Sequence, residues 1–305
     1  MGGYKPLSNV LITGANGFIG SNLMKYFSEK GHSVTGWNRQ KTDTCIAIDM
    51  SDIPLMREKI KALQLDIIIH CAGSADVSKS VKDPLMDYES NVTITHNLLE
   101  AVLESSQNKP RIVFLSSAGV YGNPKSLPVT ENQEYRPLSP YALHKVMCEQ
   151  LCLFYHDIHN LDVKIARIFS AYGSGLRKQI FWDMHRKSRD TGRLDMFGTG
   201  NESRDYIHIS DLTKALYLLA TKESDEIVFN VAGGAETTIR FATECFADAV
   251  GIDRNSISFN GFVREGDPLN WVADISRLQK LGFKPSKPFE EGIQEFCAWA
   301  KSLED

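Results

Sequence analysis

The sequence has no apolar run approaching the roughly 18 to 20 residues that a membrane-spanning helix needs, so no transmembrane segment is expected. Its opening residues, Met1-Gly2-Gly3-Tyr4-Lys5-Pro6, lack the charged-then-apolar layout of a secretory signal, and Pro6 stands where a myristoylation signal has Ser or Thr. There is no C-x-x-C pair: Cys45, Cys71, Cys148, Cys152, Cys245 and Cys297 are scattered through a chain long enough to build its own core. Reduced thiols and a cytoplasmic location are therefore expected. Glycine and proline together, 22 and 11 of 305 residues, are too few for collagenous or low-complexity classes. Positive charge is short as well: 34 Lys and Arg against 38 Asp and Glu leave a net charge of -4, without the basic surplus that would bind nucleic acid. Any phosphate must be gripped by local groups. A compact metal-ligand set is also missing. His144, Cys148, Cys152 and His156 follow at i+4 steps, but each step adds a rotation of ~40°, so the four drift around a helix and cannot meet one ion.

What is present is an ordinary globular composition, 42% hydrophobic and 24% charged, in a chain with room for two lobes. Up to about residue 170, short β-rich apolar runs alternate with longer segments of helical period, the pattern of βαβ units around a parallel sheet. Strands are expected at 9–13, 33–37, 44–48, 66–71, 111–116 and 162–168, and helices at about 18–30, 52–63, 84–106 and 139–159. Several strands are continuous apolar runs, as expected where helices cover both faces of the sheet. Beyond Phe169 the pattern loosens into Gly-rich turns, with a helix at 210–221, a strand at 227–231 that returns to the sheet, and a closing helix at 288–301. The expected fold is α/β: a Rossmann-type doubly wound parallel sheet with a smaller C-terminal α/β substrate lobe. Residues 1–170 and about 206–232 would form the dinucleotide-binding lobe, with about 171–205 and 233–305 forming the other.

The strongest local signal is Leu11-Ile12-Thr13-Gly14-Ala15-Asn16-Gly17-Phe18-Ile19-Gly20, a strand running through glycines into a helix. Glycine permits a sharp turn, lets a pyrophosphate approach the backbone and lets the helix pack close to the strand, while the helix N-terminus offers N–H groups and positive dipole. Its spacing is G-x-x-G-x-x-G, and Gly14, Asn16, Gly17, Phe18 and Ile19 are candidate cofactor contacts. At the end of the second strand, where an NAD site usually has Asp or Glu for the ribose hydroxyls, stand Asn38 and Arg39. A neutral amide and a guanidinium suit a 2′-phosphate, which favours NADP, with NAD still possible. Asp49 can either accept from an adenine amino group or cap the following helix, and Met50 lies beside it.

A second constellation joins Ser116-Ser117 at a strand end to Tyr141-Ala142-Leu143-His144-Lys145 at a helix start. Residues i and i+4 share a helix face, so Tyr141 and Lys145 can enter one site, where the ammonium favours the phenolate over the phenol. A serine hydroxyl at the neighbouring strand end would orient the reacting oxygen.

With these motifs the chain resembles an extended short-chain dehydrogenase/reductase of the nucleotide-sugar epimerase/dehydratase family, over nearly its whole length. Further stretches that carry the resemblance are Ile69-His70-Cys71-Ala72-Gly73, Ser80-Val81-Lys82-Asp83-Pro84, Asn91-Val92, Ser116-Ser117-Ala118-Gly119-Val120-Tyr121-Gly122, Arg167-Ile168-Phe169-Ser170-Ala171-Tyr172-Gly173, Gly198-Thr199-Gly200 and Arg204-Asp205-Tyr206-Ile207-His208. The resemblance implies that Tyr141 is the acid/base, Lys145 its partner and Ser117 the catalytic hydroxyl. It implies cofactor contacts at Cys71, Ala72, Gly73 and Asn91, together with Tyr141 and Lys145. Substrate contacts are implied at Ser74, Ser117, Ser170, Arg177, Arg204, Arg264 and Asp267, where arginine forks would hold the diphosphate of a nucleotide sugar. Ser170 departs from the Asn common at its position in the family. A homodimer through the helix carrying Tyr141 and Lys145 is implied as well.

The family's shared step is hydride transfer at a sugar carbon, usually C4. Dehydratases follow the catalytic hydroxyl with an Asp-Glu pair for acid and base work; here that place holds Ala118-Gly119, so dehydration is not expected. The Asn38-Arg39 pair favours an NADPH-dependent 4-keto-sugar reductase. The alternative is an NAD-dependent 4-epimerase of the UDP-glucose 4-epimerase type, which oxidises C4 and returns the hydride to the other face. A non-catalytic NADP-sensing or RNA-binding relative is disfavoured, because this acidic chain keeps both Tyr141 and Lys145.

Overall fold

The computed structural model describes residues 7–105, 109–262 and 269–303. By contact the chain divides into two compact units. The first takes the residues up to Val120, with Pro137–Arg167 and Ala215–Phe229; the second takes Tyr121–Arg136, Ile168–Lys214 and the chain from Asn230 onward.

In chain order the elements that build the first unit are β1 (Asn9–Thr13), α1 (Phe18–Glu29), β2 (Ser33–Asn38), β3 (Cys45–Ala47), α2 (Ile53–Leu63), β4 (Ile67–His70), α3 (Val77–Lys82), α4 (Pro84–Tyr88), α5 (Ile94–Ser105), β5 (Arg111–Ser117), α6 (Pro140–His159) and β6 (Val163–Ile168). They are followed by β7 (Ser170–Tyr172), α7 (Gln179–Thr191), β8 (Leu194–Met196), β9 (Ser203–His208), α8 (Ile209–Thr221), β10 (Val228–Val231), β11 (Glu236–Thr238), α9 (Ile239–Val250), β12 (Ile257–Phe259), α10 (Ser276–Lys280) and α11 (Phe289–Lys301).

The main sheet has seven strands in the order β10-β6-β5-β4-β1-β2-β3. β1 pairs in parallel with both β2 and β4, so the chain winds outward in opposite directions from β1, and the carboxyl ends of β1 and β4 form the switch point where doubly wound folds bind ligands. β4 and β6 are buried at every residue, as a sheet covered on both faces requires. Leu11, Ile68, Ile112 and Phe114 from the strands pack with Met56 and Ile60 of α2, Leu98 and Val102 of α5, and Cys148 and Cys152 of α6.

Four helix starts in this unit follow side-chain capping: Asp52 accepts from Leu55 N–H, Asp76 from Lys79, Asp83 from Met86 and Ser139 from Ala142. The helix expected at 84–106 is interrupted. A π-turn at Glu89–Thr93 separates α4 from α5, with Asn91 Nδ2 donating to the Asp87 carbonyl, and α3 precedes it as a short helix closed by Asp83 and Pro84.

The second unit is built from shorter pieces. β11, β9 and β7 form one small sheet, antiparallel at β11–β9 and parallel at β7–β9, and β12 pairs with β8 in parallel. Its core gathers Tyr172, Phe181, Met184, Tyr206, Phe246, Ile293 and Phe296. Residues 121–136, read from sequence as part of the first lobe, cluster here because Tyr121 Oη donates to Asn230 and Trp271 Nε1 donates to the Gly122 carbonyl. Residues 206–214 do the same through β9 and the buried Asp211, which accepts from the backbone of Ser286 and Lys287.

Candidate active site

At the end of β1 the backbone turns at Gly14 with φ +65°, a conformation that disfavours any side chain, and a Cβ there would lie 2.8 Å from the Ala72 nitrogen in the loop after β4. A Cβ at Gly20 would overlap the Gly14 carbonyl oxygen, so α1 can cross close to the loop only as glycine. Gly17 is the N-cap of α1, and no side chain bonds to that helix end, in contrast to α2, α3, α4 and α6. The first turn of α1, including Phe18 and Ile19, thus presents backbone N–H groups and positive dipole to an anion.

This loop borders a cavity of about 480 Å³ lined by Gly14, Gly17, Trp37, Asn38, Arg39, Ile48, Asp49, Met50, Cys71, Ala72, Gly73 and Ile94. Nine sequence-derived candidates meet there; Trp37, Ile48 and Ile94 were not anticipated and supply apolar wall. The cradle a Cβ would fill and the uncapped helix fit a dinucleotide. Asp49 is not the cap of α2, since Asp52 takes that role. Instead its carboxylate accepts from the Ser51 N–H and hydroxyl, which, with a smaller contribution from Arg39, holds it below the usual carboxylate range. Arg39 is exposed. Asn16 is also exposed, its Oδ1 accepting from Cys45 Sγ at 2.9 Å.

Asn91 is buried beneath this loop: its Oδ1 has no partner, and a Cβ on Gly73 would come within 2.7 Å of it. A hydrogen-bonded line that sequence reasoning missed connects these loops. Ala72 N–H donates to Thr13 Oγ1 at 3.1 Å, Thr13 Oγ1 lies 2.7 Å from His70 Nδ1, His70 Nε2 lies 3.2 Å from Thr95 Oγ1, and Thr95 donates to the Asn91 carbonyl at 2.6 Å. One tautomer satisfies every link: Thr13 donates to Nδ1 and His70 donates from Nε2. Burial pushes His70 down to about 3, so it stays neutral, as that arrangement requires. His70 was visible in the Ile69–Gly73 stretch, but only the pairing of β1 with β4 brings it to Thr13.

On the other side of β4, Ser116 and Ser117 face opposite ways at the end of β5. Ser116 is buried on Glu149; Ser117 is half-buried and accepts from Gly119 N–H at 3.1 Å. Gly119 is the meeting point, because a Cβ there would lie 3.3 Å from Ser117 Oγ and 4.0 Å from Tyr141 Cε1. Tyr141 is fixed at the first turn of α6, where Ser139 caps the helix and Tyr141 N–H donates to Ser80 Oγ at 3.1 Å. Ser80, from the Ser80–Pro84 stretch, thus helps position Tyr141, a role its residue type does not display. One turn on, Lys145 Nζ donates to the Leu115 carbonyl at 3.0 Å and lies 5.9 Å from the Tyr141 ring centre. The structure therefore gathers Ser117, Tyr141 and Lys145 at the carboxyl end of β5. Ser74 lies half-buried in the loop after β4.

The remaining candidates belong to the second unit. Arg204 donates to the Ser203 and Leu269 carbonyls and sits 5.8 Å over Trp271. Its neighbour Asp205 is occupied by the backbone N–H groups of Gly233, Gly234 and Ala273, so a simple Arg204–Asp205 surface pair is not what is found. Arg177 is exposed, with its guanidinium 6.0 Å from the rings of both Trp182 and Trp299, and Ser170 is half-buried at the start of β7. Arg264 and Asp267 lie outside the described residues. His144 is bonded to the buried Asp87 and His156 to the Leu161 carbonyl; among the described residues no group of three His, Cys, Asp or Glu could hold a metal.

A switch-point cavity with a glycine cradle and a Ser, Tyr, Lys cluster defines a dinucleotide-dependent enzyme of Rossmann type. The model of the NAD dependent epimerase/dehydratase family matches residues 10–232, and the chain belongs to that family. A Methanocaldococcus jannaschii protein provisionally named a UDP-glucose 4-epimerase is 32% identical, the match covering 96% of this chain and 98% of that one. Among solved structures, the UDP-N-acetylglucosamine 4-epimerase of Methanobrevibacter ruminantium M1, in complex with UDP-N-acetylmuramic acid, matches with a TM-score of 0.88 at 28% identity, covering 98% of this chain and 100% of that one. The UDP-glucuronic acid 4-epimerase of Bacillus cereus, in complex with UDP-glucuronic acid and NAD, matches with a TM-score of 0.87 at 25% identity, covering 96% and 99%. The expectation of a reductase, and of NADP, gains no support from these relatives; the epimerase alternative and NAD fit them better. No helix among the described residues is long and apolar enough to cross a membrane.

Proposed function

We infer that the protein is an NAD-dependent 4-epimerase of nucleotide-diphosphate sugars, with UDP-sugars as the class to test first. The observation that carries this is the convergence of Ser117 and Tyr141 on Gly119, one helical turn from Lys145, beside a dinucleotide-sized cradle. Gly14, Gly17 and the first turn of α1 would hold the pyrophosphate, and Asp49 the adenine end. When bound, NAD supplies a hydride acceptor that serves as donor in the return step. Ser117 orients the C4 hydroxyl while Tyr141 removes its proton, and Tyr141 returns that proton once the keto sugar has presented its other face. Lys145, its Nζ 5.9 Å from the Tyr141 ring centre, places a positive charge beside the group that takes up the proton. Arg204, half-buried and stacked on Trp271, is the second unit's candidate for the substrate diphosphate.

The Asn38-Arg39 pair is the feature that favours NADP, but the same cavity holds the Asp49 carboxylate, a negative charge unfavourable to a 2′-phosphate. A second copy of the chain fits the exposed apolar face of α6, where Leu143, Met147, Phe154 and Ile158 line up, and a dimer's mass in solution checks it. Six cysteines without a disulfide suit a cytoplasmic location. The decisive experiment incubates purified protein with UDP-glucose and no added cofactor. Formation of UDP-galactose is expected; turnover only in step with added NADPH would make it a reductase.

A further inference from the structure

Beneath the Ser117, Tyr141 and Lys145 cluster lies a second, buried polar group that the mechanism above does not use. Glu149 and Arg167 are buried, with side chains 0% and 3% exposed. Arg167 donates from Nε to Glu149 Oε1 and Oε2 at 3.0 and 3.1 Å and from Nη2 to Oε2 at 2.7 Å. Ser116 Oγ donates to Oε1 of the same carboxylate at 2.5 Å. Three elements meet at this carboxylate: β5 through Ser116, α6 through Glu149 and β6 through Arg167.

The placement is tied to the reacting groups. Tyr141, Lys145 and Glu149 follow at i+4 steps along α6, so they share a face. Along that face Lys145 bonds the Leu115 carbonyl and Glu149 bonds the Ser116 hydroxyl, while Ser117 is the next residue of the strand. We propose that Glu149 is a positioning residue: clamped by Arg167, it fixes α6 on β5 and thereby sets the distance of Tyr141 and Lys145 from Ser117. This rests on the reading of Tyr141 as the acid/base. An apolar trio could fill the same space with no loss of stability, since a buried ion pair seldom stabilises more than its hydrophobic substitute. What the apolar trio lacks is the directional bond to Ser116.

The test is the triple variant Ser116→Ala, Glu149→Leu, Arg167→Met, compared with the parent and with Tyr141→Phe in melting temperature, kcat and KM. The expected result is a melting temperature at or above the parent's, an unchanged KM and a kcat lowered at least tenfold, toward the roughly hundredfold that a misplacement of about 1 Å costs. A kcat within about twofold of the parent, with Tyr141→Phe inactive, overturns the positioning role alone. Parental turnover by Tyr141→Phe overturns the acid/base reading and the proposal with it. If the triple variant melts below the parent, Glu149→Asp decides. It keeps the charge on Arg167 but withdraws the carboxylate from Ser116, and a severalfold lower kcat at unchanged KM is expected, whereas a parental kcat overturns the proposal.

Discussion

The two units present their candidate ligand groups in different ways. The first does so with backbone: a left-handed glycine at 14, an uncapped helix end after Gly17 and the loop of Ala72 and Gly73 after β4. The second does so with long side chains resting on aromatic rings, Arg204 on Trp271 and Arg177 near Trp182 and Trp299. Backbone presentation depends on regular strand ends, and it ties binding to the fold itself. Side-chain presentation leaves specificity adjustable without disturbing the sheet.

The difference can be broken from either side. The largest effect is expected at the reacting group: Tyr141→Phe should lower kcat by about 10²- to 10⁴-fold while leaving cofactor affinity near the parent's, as turnover and cofactor titration would show. Gly14→Val should act on structure and binding together, because a branched side chain meets both the positive φ and the Ala72 backbone. A cost of about 1–3 kcal/mol in unfolding free energy and a loss of bound NAD are expected, read by urea titration and by the cofactor released on denaturation. Arg204→Ala should spare the first unit entirely, raising the substrate KM by about 10- to 100-fold with unchanged cofactor content, the range for losing a charge-assisted hydrogen bond. Equal losses of cofactor in Gly14→Val and Arg204→Ala would erase the contrast.

The smallest effect concerns acid stability. His70 has its folded-state value lowered to about 3 from 6.5, so between those values the unfolded chain binds the extra proton and stability falls as pH drops. Urea midpoints at pH 7 and pH 4.5 should therefore fall less in His70→Asn than in the parent, even though the variant starts lower for want of the Thr13 and Thr95 bonds. A fall as steep in His70→Asn would remove His70 from the account.

The same contrast explains what the sequence disclosed. Strands at 9–13 and 111–116 were legible because apolar runs end in Gly14 and Ser117, and the returning strand near 227 because Ile227, Val228, Phe229 and Val231 are apolar and β-prone, with only Asn230 polar among them. The helix expected at 84–106 failed at the π-turn, where periodicity continues while the hydrogen bonds shift by one residue. α7 escaped because its first turn has no capping side chain and its sequence carries many charges. α9 carries its signals, a Thr238 cap and Gly251 at its end, yet no helix was expected there. In the site, Tyr141 and Lys145 were legible by their i,i+4 spacing, while the choice of Ser117 over Ser116 came from the family resemblance. The Thr13–His70–Thr95 line, Ser80 under Tyr141 and the choice of Asp52 over Asp49 as the helix cap depend on tertiary neighbours or on hydrogen-bond geometry that residue types do not display.

The central claim, that one hydride leaves and returns to C4 within a single site, is tested most directly by UDP-glucose deuterated at C4 and supplied without added cofactor. The account predicts UDP-galactose that keeps the deuterium at C4. Product that has lost the label, or no product until reduced cofactor is added, would contradict it.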